Sequence, residues 1–194
     1  MGTLTDMKIR RAIPDDYRGI CQLAAANYEQ NLSPVDRQQG FISAKYTLQQ
    51  IANIASDLGI IVARDNDRVV GFACASRIDS DEQPSIVKNM IAEFDRIGFQ
   101  GRPLADYKTF LYGPVCLDLA YRGRGLLREL YQGIKREATG KYDLGAAFVG
   151  EDNPRSLKAH AKSLGMSEVG RFTHDERSYH ILVFRVEADD EMHA

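Results

Sequence analysis

A chain of 194 residues that is 44% hydrophobic and 27% charged has the size and balance of one globular domain with a real core. Its formal charge of −2 supplies no basic field for nucleic acid, and no polybasic cluster points to a membrane surface. The three cysteines, Cys21, Cys74 and Cys116, are odd in number and far apart without a CxxC pair, which predicts buried thiols in a reducing compartment rather than disulfides or metal ligands.

Residues 1–7 lack the apolar run of a signal peptide. Met1-Gly2 opens like a myristoylation signal, but Asp6 stands where Ser or Thr is wanted. No stretch approaches the roughly 18 apolar residues of a membrane span. The expectation is a soluble, cytoplasmic protein.

Residues 8–12 alternate weakly and predict a first strand. Ile13-Pro14-Asp15-Asp16 then opens a helix, with proline and carboxylates where the helix start favours them, and Ile20, Leu23, Ala24 and Tyr28 supply its buried stripe. Residues 31–41 read as loop, punctuated by Pro34 and Gly40. Thr47 followed by Gln50 is a capping-box pattern for a second helix on Leu48, Ile51, Ile54 and Ala55. Two apolar runs, 60–63 and 69–73, flank Asp65-Asn66-Asp67 and predict a β-hairpin.

Residues 78–108 begin acidic (Asp79, Asp81, Glu82) and then carry Ile86, Val87, Met90, Ile91, Phe94 and Ile97, an amphipathic helix ended at Gly98, with a loop around Gly101-Arg102-Pro103. Such a segment could select a substrate or simply cover apolar surface.

The stretch from Tyr112 to Ala138 organises the rest. It reads as a strand (Tyr112, Val115, Cys116, Leu117, Leu119), a basic glycine turn (Arg122, Gly123, Arg124, Gly125), and a helix with Leu126, Leu127, Leu130, Tyr131 and Ile134 on one face. A glycine turn feeding a helix N-terminus offers unpaired N–H groups at the positive end of the helix dipole, which suits a phosphate or pyrophosphate; a charged surface turn is the alternative. It is neither a Walker loop, since no Gly-Lys-Ser/Thr follows, nor a dinucleotide fingerprint, since Arg128 stands at the third glycine position.

Gly140 stops that helix, residues 144–149 form the next strand, and Asn153-Pro154-Arg155 opens another helix with Asn as cap, running through His160 to Gly165. Two last strands, 168–173 and 179–186, flank His174-Asp175-Glu176-Arg177, and 187–194 is an acidic tail. With no internal repeat and no linker, residues 1–194 read as one domain. The order, βααββ, inserted helix, βαβαββ, predicts a mixed α/β (α+β) sheet with helices on both faces.

Arg122-Gly123-Arg124-Gly125-Leu126-Leu127 resembles the Q/R-x-x-G-x-G/A motif of the GNAT superfamily of acyl-CoA-dependent N-acetyltransferases, with Leu127 in the place of the final Gly or Ala. The element order is similar to that family over most of the chain. The resemblance implies a mostly antiparallel, twisted sheet, the 78–108 helix and loop being an insertion between the third and fourth strands. It also implies that the amides of Arg122, Gly123, Arg124, Gly125, Leu126 and Leu127 hold the pyrophosphate of acetyl-CoA, while the backbone at Leu117 and Leu119 pairs with the pantetheine arm.

Asn153, followed seven residues later by His160 and then by Leu164-Gly165-Met166, resembles a second signature of the family. Asn153 there contacts the cofactor and His160 faces its thiol as proton donor to the departing thiolate; a histidine partly buried on a helix side is the alternative. Five steps separate His160 from Gly165 where four are usual, so one residue is inserted late in this helix. Candidate bases are Glu151 and Tyr112. His174 and His180 lack partners at metal spacing, so no metal is expected. Cys116 has no histidine nearby in sequence, which makes a cysteine nucleophile improbable.

The resemblance thus implies transfer of acetyl from acetyl-CoA to the primary amine of a small molecule or protein. A CoA-binding sensor or interaction module on the same fold is the rival reading. Acetyl-CoA and an amine are the expected partners, with neither nucleic acid nor membrane, and a homodimer is left open.

Overall fold

The computed structural model describes residues 7–79 and 83–187. Asp81 and Glu82 of the acidic run, the first six residues and most of the acidic tail lie outside the described residues.

Local capping fixes where the first helices begin. β1 (Lys8–Arg11) leads into α1 (Pro14–Ala26), where Pro14 occupies a first-turn position that needs no N–H donor. The buried Asp16 carboxylate accepts from the Ile13 amide at 2.8 Å and from Arg10 and Arg64, each at 2.6 Å. Burial works to raise its pKa, but these donors outweigh burial and hold the carboxyl below the usual range. A one-turn α2 (Pro34–Arg37), capped by Ser33, breaks the segment expected to be loop. Thr47 and Gln50 form the expected capping box and start α3 (Leu48–Ser56).

β2 (Gly59–Asp65) and β3 (Arg68–Arg77) make the expected hairpin. The inserted helix, α4 (Ser85–Ile91), is shorter than its apolar spacing predicted. After Ile91 the chain turns back on itself: the Leu104 amide donates to Ile97 at 2.8 Å, and β4 (Gly98–Phe99) pairs with β5 (Arg102–Pro103). Phe94 and Ile97 still reach apolar surroundings, but from turns rather than from a continuing helix.

The remaining elements are β6 (Thr109–Leu117), α5 (Leu126–Ala138), β7 (Leu144–Gly150), α6 (Pro154–Lys158), β8 (Ser167–His174) and β9 (Arg177–Arg185). Among the described residues the main sheet has seven strands in the order β1-β2-β3-β6-β7-β9-β8. Every neighbouring pair is antiparallel except β6 and β7, so the expected mixed, mostly antiparallel sheet is what forms.

The parallel pair is where the sheet opens. β6 and β7 pair only from Thr109, opposite Leu144, to Leu111, opposite Ala146. Beyond that, β6 carries one extra residue against β3: Ala75 faces Tyr112 and Ala73 faces Val115. This bulge bends β6, and Pro114 within it has no N–H to give a ladder, so the strands part.

Alternate strand residues face opposite layers. Ala73, Ala75, Leu182 and Phe184 pack beneath α5 with Leu126, Leu130, Tyr131 and Ile134. On the other face, Phe72 and Cys74 lie under α1 and α3 with Ile20 and Ile51, while Ile181 and Val183 lie under the insertion with Val87, Met90 and Phe94. Each fully buried side chain of this kind contributes about 1.5–3 kcal/mol. The insertion therefore covers the far half of the sheet, and α4 packs on β8.

Candidate functional site

β6 ends at Leu117, and a short 3₁₀ turn (Leu119–Tyr121) carries the chain into the glycine turn. Asp118 caps that turn by accepting from the Ala120 amide at 2.9 Å, and its own carboxylate pairs with Arg68. The Tyr121 hydroxyl donates to Asp65 at 2.6 Å, which ties the turn to the β2–β3 hairpin. Gly125 is the residue preceding α5 and sits at φ 86°, ψ −8°, a left-handed conformation that glycine adopts without cost. The amides of Arg128 and Glu129 return to the Gly125 carbonyl at 2.9 and 3.3 Å, so those of Leu126 and Leu127 have no carbonyl within the helix to meet. The predicted residues thus form a glycine-led helix start with free amides, the arrangement that suits an anion.

This turn borders an open cavity of about 520 Å³, the size of a small-molecule site. Its floor is the parted end of β6 (Val115, Cys116, Leu117), and α6 with the turn that follows it forms a side. Arg122, Arg128, Arg155 and Lys158 line it, and among the described residues no carboxylate does. The Arg122 guanidinium is half-buried and each of its nitrogens donates once: Nε to the Leu117 carbonyl at 3.2 Å, Nη1 to that of Gln39, and Nη2 to the Asn27 side chain at 2.9 Å. Burial lowers its pKa, and nearby Arg155 adds to the effect.

Asn153 caps α6 as predicted, its Oδ1 accepting from the Ser156 amide at 3.3 Å. After Lys158 the helix widens into a single π-turn (Ala159–Ser163), with the Leu164 amide reaching back to Ala159 at 3.1 Å. That is how the extra residue before Gly165 is absorbed, since a π-turn holds one residue more than an α-turn. His160 stays on the cavity wall, buried, with the Tyr112 ring edge-on at 5.9 Å between centroids. Its Nδ1 donates to the Ser156 carbonyl at 2.8 Å, which leaves Nε2 as the acceptor nitrogen of the neutral ring. Burial lowers the His160 pKa, and the Ser156 bond offsets part of that.

Leu117, Arg122, Gly123, Gly125, Leu127 and His160 meet at this cavity as predicted residues. Leu119 does not: it sits in the 3₁₀ turn beyond the strand, 47% exposed, where no ladder is available to it. Leu126, the first residue of α5, turns its side chain into the core, and Arg124 lies over the Tyr121 ring, so only the backbone of either faces the turn. Asn153 is buried beside the cavity rather than lining it, and its Nδ2 donates to the Phe41 carbonyl at 3.1 Å.

The candidate bases also fall outside. Glu151 is exposed and paired with Arg171 at 3.0 Å. Tyr112 is buried with no partner for its hydroxyl among the described residues, and burial drives its pKa upward. Cys116 lines the cavity, but burial pushes its thiol up to about 12, so it carries no thiolate at neutral pH. Sequence reasoning missed Asn27 and residues 39–42 as cavity walls, together with Arg155 and Lys158. The Asn-Pro-Arg start of α6 could have flagged the two cations; nothing local marks the others. Among the described residues, none of the insertion lines the cavity. Among the described residues, no helix is long and apolar enough to cross a membrane.

Comparison with known proteins agrees with this architecture. A search of curated protein sequences returned no match. The fold is that of a GNAT-family acetyltransferase from Streptococcus agalactiae 2603 (18% identity, 94% of this chain and 96% of that one, TM-score 0.63). It is also that of yncA from Salmonella typhimurium, solved with its cofactor acetyl-CoA (17% identity, 95% and 96% of the chains, TM-score 0.60). A GNAT-superfamily phosphinothricin acetyltransferase from Sinorhizobium meliloti, in complex with acetyl-CoA, is similar again (14% identity, 93% and 88%, TM-score 0.59). The family model described as the acetyltransferase (GNAT) family matches residues 20–166, which spans both the glycine turn and His160. The chain belongs to the GNAT acetyltransferase family.

Proposed function

We propose that this protein moves an acetyl group from acetyl-CoA to a primary amine, with the cofactor pyrophosphate on the glycine turn and its thioester near His160. One observation carries the reading: a single cavity joins a helix N-terminus and four cationic residues, with no carboxylate among the described residues, to a histidine beside the parted edge of β6. The acetyl-CoA seen in two neighbours of the same fold supports the choice of cofactor.

The backbone amides of Gly123, Gly125, Leu126 and Leu127 take the pyrophosphate oxygens, and Arg128, Arg155 and Lys158 balance the phosphate charge. Arg122 and Arg124 contribute to this turn through their backbone. The edge of β6 near Leu117 pairs with the pantetheine arm, and an N–H of that edge stabilises the oxyanion. Asn153 acts at one remove, by holding the start of α6.

The amine nitrogen attacks the thioester carbon and forms the new C–N bond. Holding the two substrates together supplies much of the acceleration. With Nδ1–H committed to Ser156, His160 Nε2 accepts the ammonium proton. Collapse of the intermediate breaks the C–S bond, and the thiolate takes that proton from Nε2. His160 is thus the proton donor to sulfur that the resemblance implies, loaded by the substrate amine itself. Three free cysteines, Cys21, Cys74 and Cys116, support a cytoplasmic setting.

Thiol release from acetyl-CoA, followed against a panel of amines, tests the reading. Release that depends on an amine is expected. Acetyl-CoA binding without release by any amine would make the protein the CoA-binding module instead.

A further inference from the structure

We propose that the Arg122 side chain is a positioning residue that holds residues 39–42 as a wall of the cavity, so that seating the amine depends on it and phosphate binding does not. This rests on the acyl-transfer reading above.

Three of the five guanidinium N–H groups go to neutral acceptors from three separate parts of the chain. These are the last carbonyl of β6 at Leu117, the Gln39 carbonyl, and the Asn27 side chain at the end of α1. No carboxylate pairs with it among the described residues, although it is half-buried. The three bonds fix the plane and direction of this group, whereas exposed Arg155 and Lys158 stand on the same cavity to meet a phosphate. Only a planar fork reaches three carbonyl-type acceptors at once; a lysine keeps the charge and loses that geometry.

The segment is gripped from the other side as well. Asn153 donates to the Phe41 carbonyl at 3.1 Å, so residues 39–41 hang between Arg122 and Asn153. Gly40 lies between the two at φ +93°, where a Cβ would come 3.5 Å from Asn153 Oδ1 and 3.8 Å from Arg122 Nη1. The Ile42 amide donates to the Asn27 carbonyl at 2.9 Å, which sews the segment to the residue that Arg122 also holds. The glycine turn, the β6 edge and α6 are the walls the cofactor uses. Residues 39–42 are the wall left for the acceptor.

Three variants test this: Arg122→Gln, Arg122→Lys, and Asn27→Ala, which frees the same hold from its far end. In all three the KM for the amine should rise about tenfold or more, while the KM for acetyl-CoA stays within about threefold. Hydrogen exchange at the Ile42 amide should quicken about tenfold or more in each, since local opening sets that rate. If Arg122 serves phosphate, Arg122→Gln will raise the acetyl-CoA KM, Arg122→Lys will restore it, and the amine KM will not move; that result overturns the proposal. Unchanged exchange at Ile42 in both Arg122→Gln and Asn27→Ala overturns it whatever the activity. A wild-type protein that releases no thiol with any amine sinks the acyl-transfer reading instead, so the two failures are distinguishable.

Discussion

His160→Phe keeps a ring of similar bulk against Tyr112 and removes the nitrogen that would carry the proton. General acid–base help of this kind contributes about 10²–10⁴ in rate. The lower end, about 10², is expected here, because proximity does much of the work and water reaches an open cavity to replace the lost group. The structure also sets the pH dependence. Burial holds the ring neutral by lowering its pKa, and Nδ1 is fixed as donor to Ser156 at 2.8 Å, so the resting ring can only accept at Nε2. A relay that starts from the neutral ring loses activity as pH falls through that lowered pKa and gains nothing further above it. The ratio of wild-type to His160→Phe turnover, measured by thiol release with both substrates saturating, cancels the titration of the amine itself. It should stand near 10² at neutral and alkaline pH and shrink on the acid side. A ratio within about twofold at every pH would make His160 a packing residue. A ratio that grows as pH falls would mean the histidine must begin protonated, and the relay would be refuted.

Two further substitutions separate the cofactor turn from the scaffold. Gly125→Val places a β-branched residue at φ 86°, which costs about 1–2 kcal/mol of strain. Calorimetry should show acetyl-CoA affinity reduced about tenfold or more, since each tenfold is only about 1.4 kcal/mol; unchanged affinity in a folded variant would remove the pyrophosphate from this turn. Met90→Ala empties a site of zero exposure beneath the insertion and should cost about 2–5 kcal/mol in urea unfolding. Because no described residue of the insertion lines the cavity, the KM for acetyl-CoA should not change; a clear change would tie residues 83–108 to the site.

What the sequence made legible were features whose physics is local. Thr47 and Gln50 cap α3 because both partners of the box lie within one turn. The glycine turn is recognisable because strand, left-handed glycine and helix start follow one another in the chain. The one-residue excess between His160 and Gly165 is a matter of counting, and the π-turn is its three-dimensional form. Leu119 misled because alternation with Leu117 imitates a strand, while Asp118 capping Ala120 had already turned the chain. Phe94 and Ile97 misled because residues in successive turns can keep helical spacing after the helix has ended. The wall formed by residues 39–42 was out of reach, since Arg122 meets Gln39 and Asn27 across 83 and 95 residues of sequence. Asn153 shows both sides: its cap on Ser156 is local and predictable, and its bond to Phe41, 112 residues away, is not.

Transfer itself is tested most directly by the fate of the acetyl group. Wild-type protein is incubated with acetyl-CoA labelled in the acetyl carbons and with the amine that releases most thiol, and the products are read by mass spectrometry. Label recovered on the amine nitrogen, equal in amount to the thiol released and reduced about 10² in rate by His160→Phe, is the predicted result. Thiol released while the label appears as free acetate, or retained on the protein, would contradict amine acetylation at this cavity.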